Sequence, residues 1–91
     1  MVIIWSARAK RDFDRLVAST AAHSPKGAQR ISSRILKRIA DLAEMPFQGS
    51  LLPKSLRRLE VTQTPYILIF RANRDDVRIV RILHARRKRR S

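Results

Sequence analysis

The chain has no cysteine. No disulfide can staple it, and no thiolate is there to hold a metal or attack a substrate. That fits a reducing compartment. Glycine is almost as scarce, with only Gly27 and Gly49, so no glycine-rich phosphate loop can be built. The two histidines, His23 and His84, stand on different elements with no carboxylate or thiolate neighbours at ligand spacing. No metal set is credible, and no cofactor is expected. Acidic residues number 7. Asp12 and Asp14 point to different faces of a predicted helix, and Asp75 and Asp76 share a turn, so paired carboxylates for acid–base work are not expected. No Ser-His-Asp arrangement follows from spacing. Long apolar runs are missing too: Tyr66 to Phe70 is as long as any, far short of a membrane span. The first ten residues place their apolar groups before their charges, the reverse of a secretory signal. A soluble, cytoplasmic chain is expected.

Positive charge is abundant. Lysine and arginine number 21, for a net charge of +14 over 91 residues. A small chain this basic repels itself and seeks polyanions or an acidic protein. At 44% hydrophobic residues it still has material for a core. One small domain over residues 1–91 is expected, with a basic tail over 86–91.

Val2 to Trp5 is a short run of strand type. Ser6 is a good N-cap for a helix from Ala7 to about Ala22. Ala9, Phe13, Leu16, Val17 and Thr20 share one face of it. Arg8, Lys10, Arg11, Asp12, Asp14 and Arg15 occupy the others. Ser24 can cap a second helix, and Pro25 suits its first position, where no donor is needed. Ala28, Ile31, Ile35, Ile39 and Leu42 form the stripe of this helix, widened by Leu36 and Ala43. It ends near Met45, because Pro46 pushes the residue before it out of the helical region. So short a break between helices predicts an antiparallel hairpin. Residues 46–55 read as a loop.

The stretch from Leu56 to Arg87 reads as three strands. Leu56 to Thr62 is the first, and Gln63-Thr64-Pro65 turns it. Tyr66 to Arg71 is the second, an apolar run that fits a central strand buried on both faces. Tyr66, Leu68 and Phe70 share one face of it, Ile67 and Ile69 the other. At least one set should pack on Phe13, Leu16, Ile31, Ile35 and Ile39. Asn73 to Asp76 is a polar turn. Val77 to His84 is the third strand. The order strand–helix–helix–strand–strand–strand predicts an α+β layer, a helical hairpin packed on a mainly antiparallel sheet.

Arg57, Arg58, Arg71, Arg78, Arg81, Arg86 and Arg87 lie on or beside these strands, with His84 where the last gives way to the tail. Alternation puts Arg81 and Leu83 on one face, and Val80, Ile82 and His84 on the other. Arginines bind phosphates, and an imidazole exchanges protons near neutral pH. Cleaving RNA at its 2′-hydroxyl needs a base, an acid and a cation. One imidazole fills at most one of the first two places. A packing or capping role for His84 stands equally open. Glu60, the only carboxylate inside the strands, is expected to pair with a neighbouring arginine.

The chain resembles the RelE/ParE superfamily of bacterial toxins from type II toxin–antitoxin systems, in its ParE branch. The resemblance runs over nearly the whole length. It rests on Trp5-Ser6, on Ser24-Pro25 with Ala28, on Leu42 and Pro46 before Gly49, and on Leu56-Arg57-Arg58-Leu59. It is strongest in Pro65 to Arg71 and in Val77 to Arg87. The family's fold has the element order read above. RelE-like members cut messenger RNA on the ribosome, whereas ParE-like members inhibit DNA gyrase. The RelE-like pattern has a catalytic aromatic or histidine near the C-terminus, where this chain has Lys88-Arg89-Arg90-Ser91. The resemblance therefore implies a gyrase-binding toxin neutralised by an acidic, partly disordered antitoxin. Arg57, Arg58, Arg71, Arg81, His84, Arg86 and Arg87 are its target or phosphate candidates. Arg86, Arg87, Lys88, Arg89 and Arg90 are its antitoxin candidates. The competing expectation is a ribosome-dependent ribonuclease using His84 with Arg81, Arg86 or Arg87. The third is a plain nucleic-acid-binding module.

Overall fold

The structure, a computed structural model, describes residues 1–88. Strand β1 is Val2–Trp5, and helices α1 and α2 are Ala7–His23 and Pro25–Glu44. Strands β2, β3, β4 and β5 are Ser50–Leu51, Arg57–Glu60, Tyr66–Ala72 and Asp76–His84. A short helical turn, α3, follows over Ala85–Lys88. The sheet order is β1-β5-β4-β3-β2. β1 runs parallel to β5, and the other neighbours are antiparallel. The expected α+β layer is what forms, and β4 is its central strand.

The caps work as their residue types predict. The Ser6 Oγ accepts the Ala9 N–H at 2.9 Å and opens α1. Ser24 serves both helices. Its N–H donates to the Thr20 carbonyl, and its Oγ accepts the Gly27 N–H that opens α2. The hairpin thus turns on a single residue. α1 lies against β5, and α2 against β1 and β5.

The core joins Ala9 and Leu16 of α1 to Ile35, Ile39 and Leu42 of α2 and to Leu59, Leu68, Phe70, Val77, Ile79 and Ile82 of the sheet. Phe13, Ile31 and Tyr66 are partly buried against it. Trp5 meets Phe13 edge to face, ring centroids 5.5 Å apart. Leu36 stays 47% exposed and does not widen the buried stripe.

Three features depart from the sequence reading. Residues 46–55 are not all loop, since Ser50 and Leu51 pair with Arg58 and Arg57. A basic tail was expected after His84, and its first residues form α3. Alternation also breaks in β5. Ile69 stands opposite Arg81 but Phe70 opposite Ile79, so Val80 is an extra residue and drops out of the alternation. The bulge lets Val77, Ile79 and Ile82 enter one core, where unbroken alternation would separate them.

β2 depends on Gly49. Its φ is +80°, and a Cβ there would stand 2.3 Å from the Arg58 carbonyl oxygen. Both the backbone conformation and the space exclude a side chain. Gly49→Ala should therefore cost about 1–3 kcal/mol and speed amide exchange in β2. A urea midpoint and exchange pattern matching the parent would show that this close approach is not kept in solution.

Candidate functional site

The register sorts the arginines onto two faces. Arg57 stands opposite Phe70, on the side of the helices. Its guanidinium lies 5.4 Å from the Phe47 ring centroid and reaches the Phe47 and Gln48 carbonyls at 3.5 Å. It serves the loop after α2. Arg58 stands beside Ile69 on the opposite face, and Arg71 beside Arg78; Arg81 also pairs with Ile69 in the register but carries its guanidinium to Asp12 of α1. Ile67 and Ile69 are buried there, and the long arginine stems are suited to covering Ile69. Arg58 pairs with Glu60 at 3.5 Å, as expected, and Arg78 with Asp76 at 3.5 Å. Both pairs are exposed enough to count for little in stability. The Arg71 Nε donates to the Lys54 carbonyl.

A second locus lies between α1 and the end of β5. It is a cleft of about 440 Å³ lined by Asp12, Arg15, Leu16 and Ser19 of α1, Tyr66 of β4, and residues 81–84 of β5. Arg81 grips Asp12 as a fork, Nε to Oδ2 at 2.8 Å and Nη2 to Oδ1 at 3.2 Å. The Ile82 N–H donates to the same Oδ2 at 2.9 Å. Burial pushes the Asp12 carboxyl up. The Arg81 and Ile82 hydrogen bonds, with the charges of Arg81 and Arg8, outweigh it and hold the group below its usual value. The Asp12 hydrogen bond raises the Arg81 guanidinium in turn.

His84 is on the helix side, opposite Tyr66 in the register. The two rings meet edge to face at 5.3 Å. The Arg86 N–H donates to His84 Nδ1 at 3.2 Å, which caps the first turn of α3. That contact leaves the proton of a neutral ring on Nε2. His84 thus packs on Tyr66 and caps α3.

The predicted residues thus divide. Arg58, Arg71 and Arg78 share the open sheet face. Arg81 and His84 both line the cleft. Arg57 belongs to neither group, and Arg86 is exposed at the start of α3. Arg89 and Arg90 lie outside the described residues, as do the side chains of Arg87 and Lys88. Sequence reasoning missed Asp12, Arg15, Ser19 and Tyr66 as cleft residues. Asp12 gave no signal because its partners lie 69 and 70 positions away. Among the described residues, no group of three His, Asp or Glu side chains is placed to hold a metal, and no helix is long and apolar enough to cross a membrane.

Residues 3–89 match the family described as the ParE toxin of the type II toxin–antitoxin system, parDE. The chain belongs to the ParE toxin family. Among curated relatives it is 37% identical over 86 residues to a protein named putative toxin Y4kP of Sinorhizobium fredii, covering 91% of this chain and 86% of that one. It is 35% identical over 85 residues to toxin RelE2 of Caulobacter vibrioides, covering 93% of this chain and 96% of that one. Its fold resembles a chain of the chromosomal ParDE system of P. aeruginosa, with a TM-score of 0.80 at 23% identity over 92% and 95% of the two chains. This ParE-family protein is the toxin component of a type II pair, and membership implies a cognate antitoxin.

Proposed function

We propose that this toxin acts by binding DNA gyrase, not by cutting RNA, and that an acidic antitoxin neutralises it. The observation that carries the reading is the separation of His84 from the arginine face. Arg58, Arg71 and Arg78 are on one side of the sheet. His84 is on the other, with Nδ1 engaged in capping α3. RNA cleavage needs a base, an acid and a cation converging on one phosphate. The carboxylates nearest the arginine face, Glu60 and Asp76, are paired with Arg58 and Arg78. Binding needs only the basic surface and its apolar companions. The antitoxin side of the reading rests on the net charge of +14, which favours fast encounter with an acidic partner. The basic end from Arg86 to Arg90 is its proposed landing point.

One observation favours ribonuclease activity as the second reading: His84, Tyr66 and Arg81 all line the same cleft. Purified protein assayed in parallel on gyrase supercoiling and on ribosome-bound messenger RNA separates the two. The expected result is lost supercoiling with intact transcript, and His84→Gln within about twofold of the parent, since the imidazole is not asked to move a proton. Cut transcript with unimpaired supercoiling would overturn the gyrase reading.

A further inference from the structure

The sheet face away from the helices carries a pair that a merely solvated surface does not need. Arg71 and Arg78 stand directly opposite each other on β4 and β5, with Cα atoms about 5 Å apart. Like charges so placed repel across the ladder. The bulge at Val80 creates the pairing. Unbroken alternation would turn positions 78 and 81 to opposite faces, and the extra residue brings both to the open one.

Arg71 is also held in place. Its Nε donates to the Lys54 carbonyl at 3.2 Å. Lys54 and the next residue, Ser55, both take left-handed backbone, at φ 64° and 62°. Neither residue type favours that region, so the turn that anchors Arg71 is strained. Among the described residues, no ion pair and no second hydrogen bond engages Arg71. Its Nη groups are left for a ligand. Asp76, the acid beside Arg78, accepts from Asn73 at 3.0 Å within the turn and stands 3.5 Å from the Arg78 Nε. It engages Arg78 weakly, and the Arg78 side chain stays 56% exposed.

We propose that Arg71 and Arg78 clamp one phosphate of a DNA duplex, and that Arg58 extends the same basic face along its backbone. Two guanidinium forks match the oxygens of a phosphate. What the face lacks selects a duplex. Trp5, Phe13, Tyr66 and Phe70 belong to the helix side, and Phe47 lies with Arg57. No ring faces the arginines on which an unpaired base could stack, so this surface meets a backbone and not bases. The choice of DNA over RNA rests on the gyrase reading above, and the proposal gives the arginine face of that reading its own ligand.

Anisotropy of a labelled two-turn DNA duplex, titrated with the full chain at several salt concentrations, is the test. Arg71→Gln/Arg78→Gln should bind about tenfold more weakly or worse. It should also flatten the log–log salt slope by about one, because the two arginines share a phosphate. Arg78→Gln alone, at an exposed position, should show the same flattening and guards against a fold defect in the double variant. Lys10→Gln/Lys37→Gln removes the same charge from exposed positions on α1 and α2, and should change the slope by less than about half as much. A parent slope in both clamp variants, or an equal loss in the helix control, overturns the proposal. So does a single-stranded RNA of the same length that binds more tightly than the duplex and weakens in the same variants. Supercoiling assays keep this failure apart from that of the wider reading. If the parent blocks supercoiling but its duplex affinity is indifferent to Arg71 and Arg78, the clamp is wrong and the gyrase reading stands. If duplex affinity depends on the clamp while gyrase supercoils normally beside the parent, the clamp stands and the gyrase reading fails.

Discussion

Truncating Ile35 or Leu68 to alanine should lower stability by roughly 2–5 kcal/mol. Both side chains are fully buried, and both belong to the one core between the helical hairpin and the sheet. Ile35 sits mid-way along α2, and Leu68 stands between Leu59 and Ile82 on the central strand. The cavity left by either is lined by side chains held on three different elements, so it cannot collapse freely. For a domain of this size the loss is a large share of the total, and the melting temperature should fall by roughly 10–30 °C. Leu36→Ala is the control. Leu36 is on the same helix but exposed, so its truncation should stay within about 0.5 kcal/mol. Equal midpoints for Ile35→Ala, Leu68→Ala and the parent would mean that the hydrophobic layer lies elsewhere.

These side chains were legible because period and burial agree there. The α2 stripe repeats at helical spacing, and Ala28, Ile35, Ile39 and Leu42 are the residues it buries. In β4 the alternation of Tyr66, Leu68 and Phe70 is unbroken, so the face toward the helices followed from the pleat. β5 was legible as a strand, and the alternation of Arg81 and Leu83 against Ile82 and His84 holds, but the bulge at Val80, which brings Val77 and Ile79 onto the face of Ile82, leaves no mark in a run of β-branched residues and arginines. β2 was invisible for another reason. Two exposed residues held only by backbone pairing carry no side-chain pattern. The candidate site was legible by residue type, since arginines and one histidine stood out against so few acids. Their sorting into an open face and a cleft needed the register. Arg57 and Arg58 are adjacent in sequence, yet one binds loop carbonyls beside α2 and the other stands on the open face.

Among the described residues, Asp12 carries the largest polar contribution to be expected. Its carboxylate receives three hydrogen bonds, two from Arg81 and one from the Ile82 N–H, and its side chain is 14% exposed. Asp12→Ala leaves that N–H without its acceptor and the guanidinium without its partner. The cost should be about 2–3 kcal/mol. Asp12→Asn keeps an oxygen for Ile82 but loses the charge, so about 1–2 kcal/mol is expected. The pH dependence follows from the lowered carboxyl. Burial works against the ionised form, but the Arg81 fork, the Ile82 N–H and the charges of Arg81 and Arg8 outweigh it. As pH falls, the unfolded chain takes up the proton first, near the ordinary value of about 3.9. The contribution is therefore complete above about pH 5 and disappears as pH drops through the lower folded value. Urea midpoints of the parent and Asp12→Asn should differ equally at pH 7 and pH 5, then converge toward pH 3. A gap that persists undiminished at pH 3 would mean that the shape of the residue at position 12, not its charge, secures the end of β5 to α1.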